Sequence, residues 1–381
     1  MSISVDSSHR YLALDSLRGF CACMVVLHHI PGPLESIPLV KNSYLFVDFF
    51  FVLSGFVIGT SYGQRLAGDY SLGRYMVQRF FRVWPLHAFM LLMFLAFEVV
   101  YATGAIGTAS REPFGDNYTV PQLIQSFLLV QPFLGPDAAP WNGPSWSIAV
   151  EFWTYLIFAL AMKVAPRFIV PMCVAVVIVA PIMLALGSDR NMYVFHDGAL
   201  TRCLFGFAAG VLLWKAPRTW REKPLGRAAD EALEVGAAVL CLAFVSVAWA
   251  GRLTLAAPLV FIAVVLVFSR ERGWISKALL TTPMLKLGAL SYSIYMVHLF
   301  IVWRYFNGLT LAERISGRDL VEQSEGVTRL TGDVLVSALL TVPIILIVLI
   351  AAAITHRFIE LPGQQFGRKL AKGWGARTIH K

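Results

Sequence analysis

Residues Tyr11–Ile30 read YLALDSLRGFCACMVVLHHI, an apolar run that nevertheless carries Asp15, Arg18, His28 and His29. About 20 residues of helix cross the hydrocarbon core of a bilayer, rising about 1.5 Å each. Ionisable groups are costly there, and those that occur face a partner or a water-filled cavity. The stretch therefore predicts a membrane helix with a polar seam.

The spacing of the seam is informative. Arg18 and His29 are eleven residues apart, about three turns plus about 20°, so they share a face with about 16 Å between them along the axis. Asp15 lies within about 60° of both and is spaced to pair with Arg18 at i,i+3, whereas His28 points about 100° away from His29. A structural ion pair with a hydrogen-bonded histidine and a functional path both fit this helix.

The rest of the chain extends the reading. Of 381 residues, 57% are hydrophobic and only 14% charged, which excludes an ordinary soluble globule and indicates an all-α, polytopic membrane protein. Ten apolar runs predict ten spans: 12–31, 44–62, 83–104, 146–163, 168–187, 199–215, 233–250, 253–269, 287–306 and 333–355. The stretch 121–134, PQLIQSFLLVQPFL, is too short to span and predicts a re-entrant or interfacial segment capping a cavity. With the N-terminus inside, 22 of the 32 Lys and Arg fall on the cytoplasmic face, which places both termini there. Residues 1–360 are thus expected to form one membrane domain and 361–381 a short basic cytoplasmic tail, with no appended soluble domain expected. Most of the net charge of +9 is topology, not a nucleic-acid surface. No signal-peptide pattern precedes the first span. Cys21, Cys23, Cys173, Cys203 and Cys241 sit in apolar runs without CxxC spacing, so neither a disulfide framework nor a metal site is expected.

Other polar residues interrupt the runs. Asp48 opens the second span at about the depth of His29, where it could orient the imidazole; Ser54 and Gly55 in the same span suit close packing. Arg79 and Arg82 precede the third span, either as topology signals or as a grip for phosphate. Glu151 lies a little below the outer end of the fourth span, with Ser147 at i−4 and Trp141, Trp146 and Trp153 nearby. The ninth span holds His298, with Ser291 and Tyr292 below it. Metal, nucleotide-hydrolysis and serine-hydrolase motifs are missing from the sequence.

In order along the chain, LDSLRGF with its R-x10-H spacing, VDFFFVLSGFVI, RFFRVWP, WSIAVEFW and SYSIYMVH resemble the motifs of the membrane-bound acyltransferase-3 family. The resemblance implies acyl transfer from acyl-CoA, most often acetyl-CoA, and usually O-acetylation of bacterial surface carbohydrate by a multi-pass protein of the cytoplasmic membrane. Some relatives act on antibiotics or other small molecules. Others carry an additional span and an extracytoplasmic esterase-like domain, for which no room is expected here. The functional Arg and His of the family map onto Arg18, His29, Arg79 and Arg82. On that basis Arg79 and Arg82 are expected to hold CoA phosphates and Arg18 to guide the thioester. His29 is the expected general base, oriented by Asp48 or Glu151, with Asp15, Ser54, Ser147, Tyr292 and His298 in support. Direct transfer and an acyl intermediate on His29 or His298 both stay open. The acceptor is expected to be a carbohydrate or glycolipid, and no nucleic-acid partner is expected. A secondary transporter also uses intramembrane ionisable residues, though no inverted repeat is visible. A non-catalytic scaffold leaves the seam unexplained.

Overall fold

The computed structural model describes residues 11–104, 112–115, 118–134, 141–324 and 327–376. Arg10, Arg111, Arg377 and Lys381, which entered the charge count, lie outside the described residues, as does the end of the basic tail.

A helix stands at each of the ten predicted positions. The first half contains α1 (Leu12–His28), α2 (Phe46–Ile58), α3 (Leu72–Ala102), the short α4 (Val120–Phe127), α5 (Ser145–Val164) and α6 (Ile169–Gly187). The second contains α7 (Ala199–Lys215), α8 (Arg227–Val247), α9 (Ala257–Phe268), α10 (Thr282–Ser316), α11 (Val334–Thr355) and α12 (Leu361–Ala376). Among the described residues, six helical runs are long and apolar enough to cross a membrane, those containing α2, α3, α5, α6, α10 and α11. At the other four positions α1 and α7 have 17 residues each, α9 has 12, and α8 begins among charged residues. Ile178, Ile182, Leu186, Leu339 and Ile350 stand exposed on α6 and α11, the outward apolar surface that a lipid environment covers.

Several boundaries depart from the apolar runs. Helix α1 stops at His28 because Ile30 precedes Pro31 and is biased away from helical geometry. Helix α3 begins at Leu72, where the Ser71 hydroxyl accepts from the Arg74 N–H at 3.4 Å, so Arg74, Arg79 and Arg82 are helical rather than in a loop. Helix α10 runs on to Ser316 and ends at Gly317, whose φ of 67° suits a left-handed C-cap. Beyond it, β1 (Val321–Ser324) pairs antiparallel with β2 (Val327–Leu330), Val321 opposite Leu330, so a small hairpin qualifies the all-α reading. The expected tail is itself a helix: α11 passes through a π-helical turn, His356–Glu360, into α12, which packs against α3. A second π turn, Gly59–Gly63, follows α2.

Two helix pairs bring the polar residues together. In α1 and α10 the backbones touch at Gly19 and Gly288; a Cβ on Gly19 would lie 2.6 Å from the carbonyl of Leu287. Helices α2 and α7 approach as closely at Gly55 and Gly210. Small residues at such crossings let membrane helices pack backbone to backbone.

Candidate active site

Three cavities share walls and form a series through the helices. The first, about 220 Å³, is bounded by Arg65, Arg74, Arg79 and Arg82 from α3 and its approach, and by Gln364 and Arg368 of α12. The second, about 150 Å³, reuses Arg79 and Arg82 and adds Arg18, Ser54, Ser147, Glu151, Tyr155 and Tyr292. The third, about 300 Å³, meets the second at Val47 and Tyr295 and contains His28, His29, Tyr44, Trp146 and His196. Arg18 and His29 therefore occupy successive chambers, as expected for two residues on one face about 16 Å apart.

Arg18 is held by α1 and α10 together. Its Nε donates to Ser291 Oγ at 2.8 Å, and Nη2 lies 3.5 Å from Asp15 Oδ1, the expected i,i+3 pair. Glu151 lines the same chamber as the guanidinium groups of Arg18, Arg79 and Arg82. Glu151 is thus in a different chamber from His29 and does not orient its ring. Helical phase is the reason: the side of α5 that carries Glu151 turns into the second chamber, whereas His29 lines the third.

Asp48 also stands away from the role expected of it. It is fully buried, and its two oxygens receive Arg202 Nε at 2.9 Å and Nη2 at 2.7 Å. A buried guanidinium needs a carboxylate counter-charge, and α7 brings Arg202 to Asp48 through the glycine crossing. Asp48 thus serves Arg202 and does not line the chamber that holds His29.

His29 caps the end of α1 with its Nδ1 2.8 Å from Val25 O. A carbonyl only accepts, so Nδ1 carries the hydrogen and, in the neutral ring, Nε2 carries a lone pair. His298, fully buried on α10, places Nδ1 2.7 Å from Tyr295 O by the same logic, and its Nε2 has no hydrogen-bond partner. The two imidazole centroids are 4.9 Å apart. His28 turns toward Tyr44, 5.8 Å between centroids, yet still lines the third chamber. His196 lies in the loop before α7, where burial holds its imidazole below the ordinary value of 6.5.

Supporting residues mostly fix walls. Ser147 Oγ and Tyr295 Oη are 2.8 Å apart and both also reach Pro144 O, which pins the junction between the second and third chambers. Ser54 Oγ meets Tyr155 Oη at 3.0 Å, and Tyr292 Oη donates to Val83 O at 2.5 Å. The 121–134 segment forms α4 and a short 3-10 turn, Gln131–Phe133, and lines none of the three chambers. It is fastened instead by donors reaching its carbonyls: Trp84 to Phe127 at 3.0 Å, His87 to Ser126 at 2.8 Å and Trp153 to Leu129 at 2.8 Å.

Glu360 was not anticipated. It pairs with Arg82 and also receives Ser293 Oγ at 2.7 Å, Gln364 Nε2 at 2.9 Å and His356 Nδ1 at 2.9 Å. A carboxylate directly after an apolar run, in HRFIELP, is the signal that could have found it. Tyr155, Tyr295 and Arg202 were likewise invisible as site residues, because their roles depend on contacts between helices.

Comparison with known proteins agrees with this architecture. The acyltransferase domain of family 3 matches residues 11–357. The curated protein described as protein 2 in picA locus, from Rhizobium radiobacter, is 35% identical over 104 residues, 27% of this chain and 53% of that protein. The chain thus spans about half the length of the curated relative it matches. No solved structure matches. Since the family profile runs from the start of α1 to the turn that leads into α12, this multi-pass membrane chain belongs to the acyltransferase-3 family.

Proposed function

We propose that the protein transfers an acyl group, most simply acetyl, from acyl-CoA to a hydroxyl of a cell-surface carbohydrate or glycoconjugate. The observation that carries this reading is the series of chambers leading from an arginine-lined basin past Arg18 to His29. In this reading ten spans cross the bacterial cytoplasmic membrane, both termini are cytoplasmic, and the basin opens to the cytoplasm where acyl-CoA is made.

Guanidinium groups suit phosphate because they donate paired, charge-assisted hydrogen bonds. With the nucleotide held at the basin, the pantetheine arm threads the second chamber beside Arg18 and brings the thioester to the Val47–Tyr295 junction. His29 Nε2 removes the proton of the acceptor hydroxyl while the oxygen attacks the thioester carbon. Collapse of the tetrahedral intermediate forms the ester, breaks the C–S bond and returns a proton to the departing CoA thiolate. This direct route leaves His298 as a neighbour of the base, not the acyl carrier.

The test is reconstitution in lipid with labelled acetyl-CoA and envelope glycans, followed by mass spectrometry of the glycans. Gain of one acetyl per acceptor, dependent on protein, supports the reading. Acylation of a small-molecule acceptor alone would move the acceptor class. Accumulation of an unmodified solute in proteoliposomes, without transfer, would favour a transporter.

A further inference from the structure

Helix α12 contributes more to the basin than a tail would. Five arginines line it: Arg65, Arg74, Arg79, Arg82 and Arg368. No acidic side chain lines it, and among the described residues Glu360 is the carboxylate that pairs with this group, through Arg82. The excess is therefore about four positive charges. Arg74 Nε and Arg79 Nε are buried without a hydrogen-bond partner, donors left for something that is not protein. Tyr62 and Tyr70 support the guanidinium groups from beneath, with Arg79 5.0 Å over Tyr62 and Arg65 4.1 Å over Tyr70.

The position of Arg368 is fixed by its own helix. Gly363 and Gly367, four residues apart, set α12 directly on α3; a Cβ at 363 would come 2.6 Å from the Pro85 ring, and one at 367 would overlap Phe81. Gln364 and Arg368 follow these glycines by one residue each and so share the adjacent face, which meets the basin. Gln364 is further tied to Glu360, and Glu360 to Arg82, so the two sides of the basin are joined by hydrogen bonds.

We propose that α12 is one jaw of a polyphosphate site, in which Arg368, Arg65 and Arg74 hold the phosphates at the nucleotide end of the donor. The inference rests on the acyl-CoA reading for the donor's identity, but the ligand chemistry follows from the basin alone. A nucleotide bearing a diphosphate and a further phosphate monoester matches the excess charge and the unused donors. Arg79 and Arg82, which also line the second chamber, then lie where the diphosphate passes into the pantetheine arm.

The experiment uses the full chain in lipid nanodiscs, with three probes: inorganic tripolyphosphate, acetyl-CoA, and acetyl-dephospho-CoA, which lacks the 3′-phosphate. Wild type is expected to bind tripolyphosphate and to prefer acetyl-CoA over the dephospho form by about tenfold or more. Arg368→Gln, on an exposed helical position, is expected to weaken tripolyphosphate and erase most of that preference, with Arg368→Lys retaining part of it. Gly367→Leu, which forces α12 off Phe81, is expected to act like Arg368→Gln. Absence of tripolyphosphate binding, or full preference in the Arg368→Gln protein, overturns the assignment of the basin. Tripolyphosphate binding that depends on Arg368, without any acetyl-CoA binding, supports the polyphosphate site and overturns the acyl-CoA reading alone.

Discussion

Asp48 and Arg202 form a bidentate ion pair closed entirely from solvent, two hydrogen bonds of 2.9 and 2.7 Å joining α2 to α7. Breaking one side leaves a buried charge uncompensated, at a cost of about 3–5 kcal/mol. Asp48→Leu and Arg202→Leu should each lower the thermal unfolding midpoint sharply in detergent. The double variant should recover much of the loss and, because the pair lies apart from His29, recover transfer too. A stable double variant without transfer would return Asp48 to the chemistry.

His29→Ala should reduce transfer by about 10² to 10⁴-fold, the usual contribution of a positioned base, with unchanged unfolding midpoint. His29→Gln keeps hydrogen-bonding capacity and should be nearly as inactive. Near-normal initial rates in either variant would remove His29 from the mechanism.

Gly288→Leu should separate α1 from α10, since its side chain would meet the backbone at Asp15 and Ser16. Arg18 would then lose Ser291, and the second and third chambers would lose their common alignment. The expected outcome is a destabilised protein with transfer reduced more than donor binding, read by comparing initial rates with acetyl-CoA affinity. Unaltered rates would mean that this crossing does not position the site.

Glu360→Gln removes the charge that faces Arg82 while keeping much of the shape of the side chain. Arg82 would be free to turn away from its set position, and the apparent KM for acyl donor should rise by about tenfold, a difference near 1.4 kcal/mol. Glu360→Asp should fall between wild type and Glu360→Gln. A lowered kcat at unchanged KM would place Glu360 closer to bond making than to donor binding.

Apolar runs located α1–α3 and α5–α11, because a helix in apolar surroundings must itself be apolar, but missed α12, whose sequence is polar. They could not locate α3's first turns or α10's last, where helix continues through polar sequence and only Ser71 and Gly317 mark the ends. Periodicity put Arg18 and His29 on one face and Asp15 beside Arg18, since those relations lie within one helix. It failed for Asp48 and Glu151, because whether a carboxylate meets His29, Arg202 or a cluster of arginines depends on how helices turn against one another. Glu360 was hidden for the same reason, its partners lying on α3, α10 and its own helical run.

The two π turns have a consequence for the way the basin is built. Each holds an additional residue relative to an α turn and so advances the helical phase by about 100°. Gly59–Gly63 carries Tyr62, and His356–Glu360 precedes Gln364 and Arg368, so both occur where a helix becomes a wall of the basin. A phase offset lets one continuous rod show lipid an apolar face along one stretch and show an anion a cationic face along the next. The register of α12 is therefore a setting as well as a sequence. Loss of Phe358 or Ile359 would leave all five arginines of the basin in the chain and aim Arg368 away from the other four.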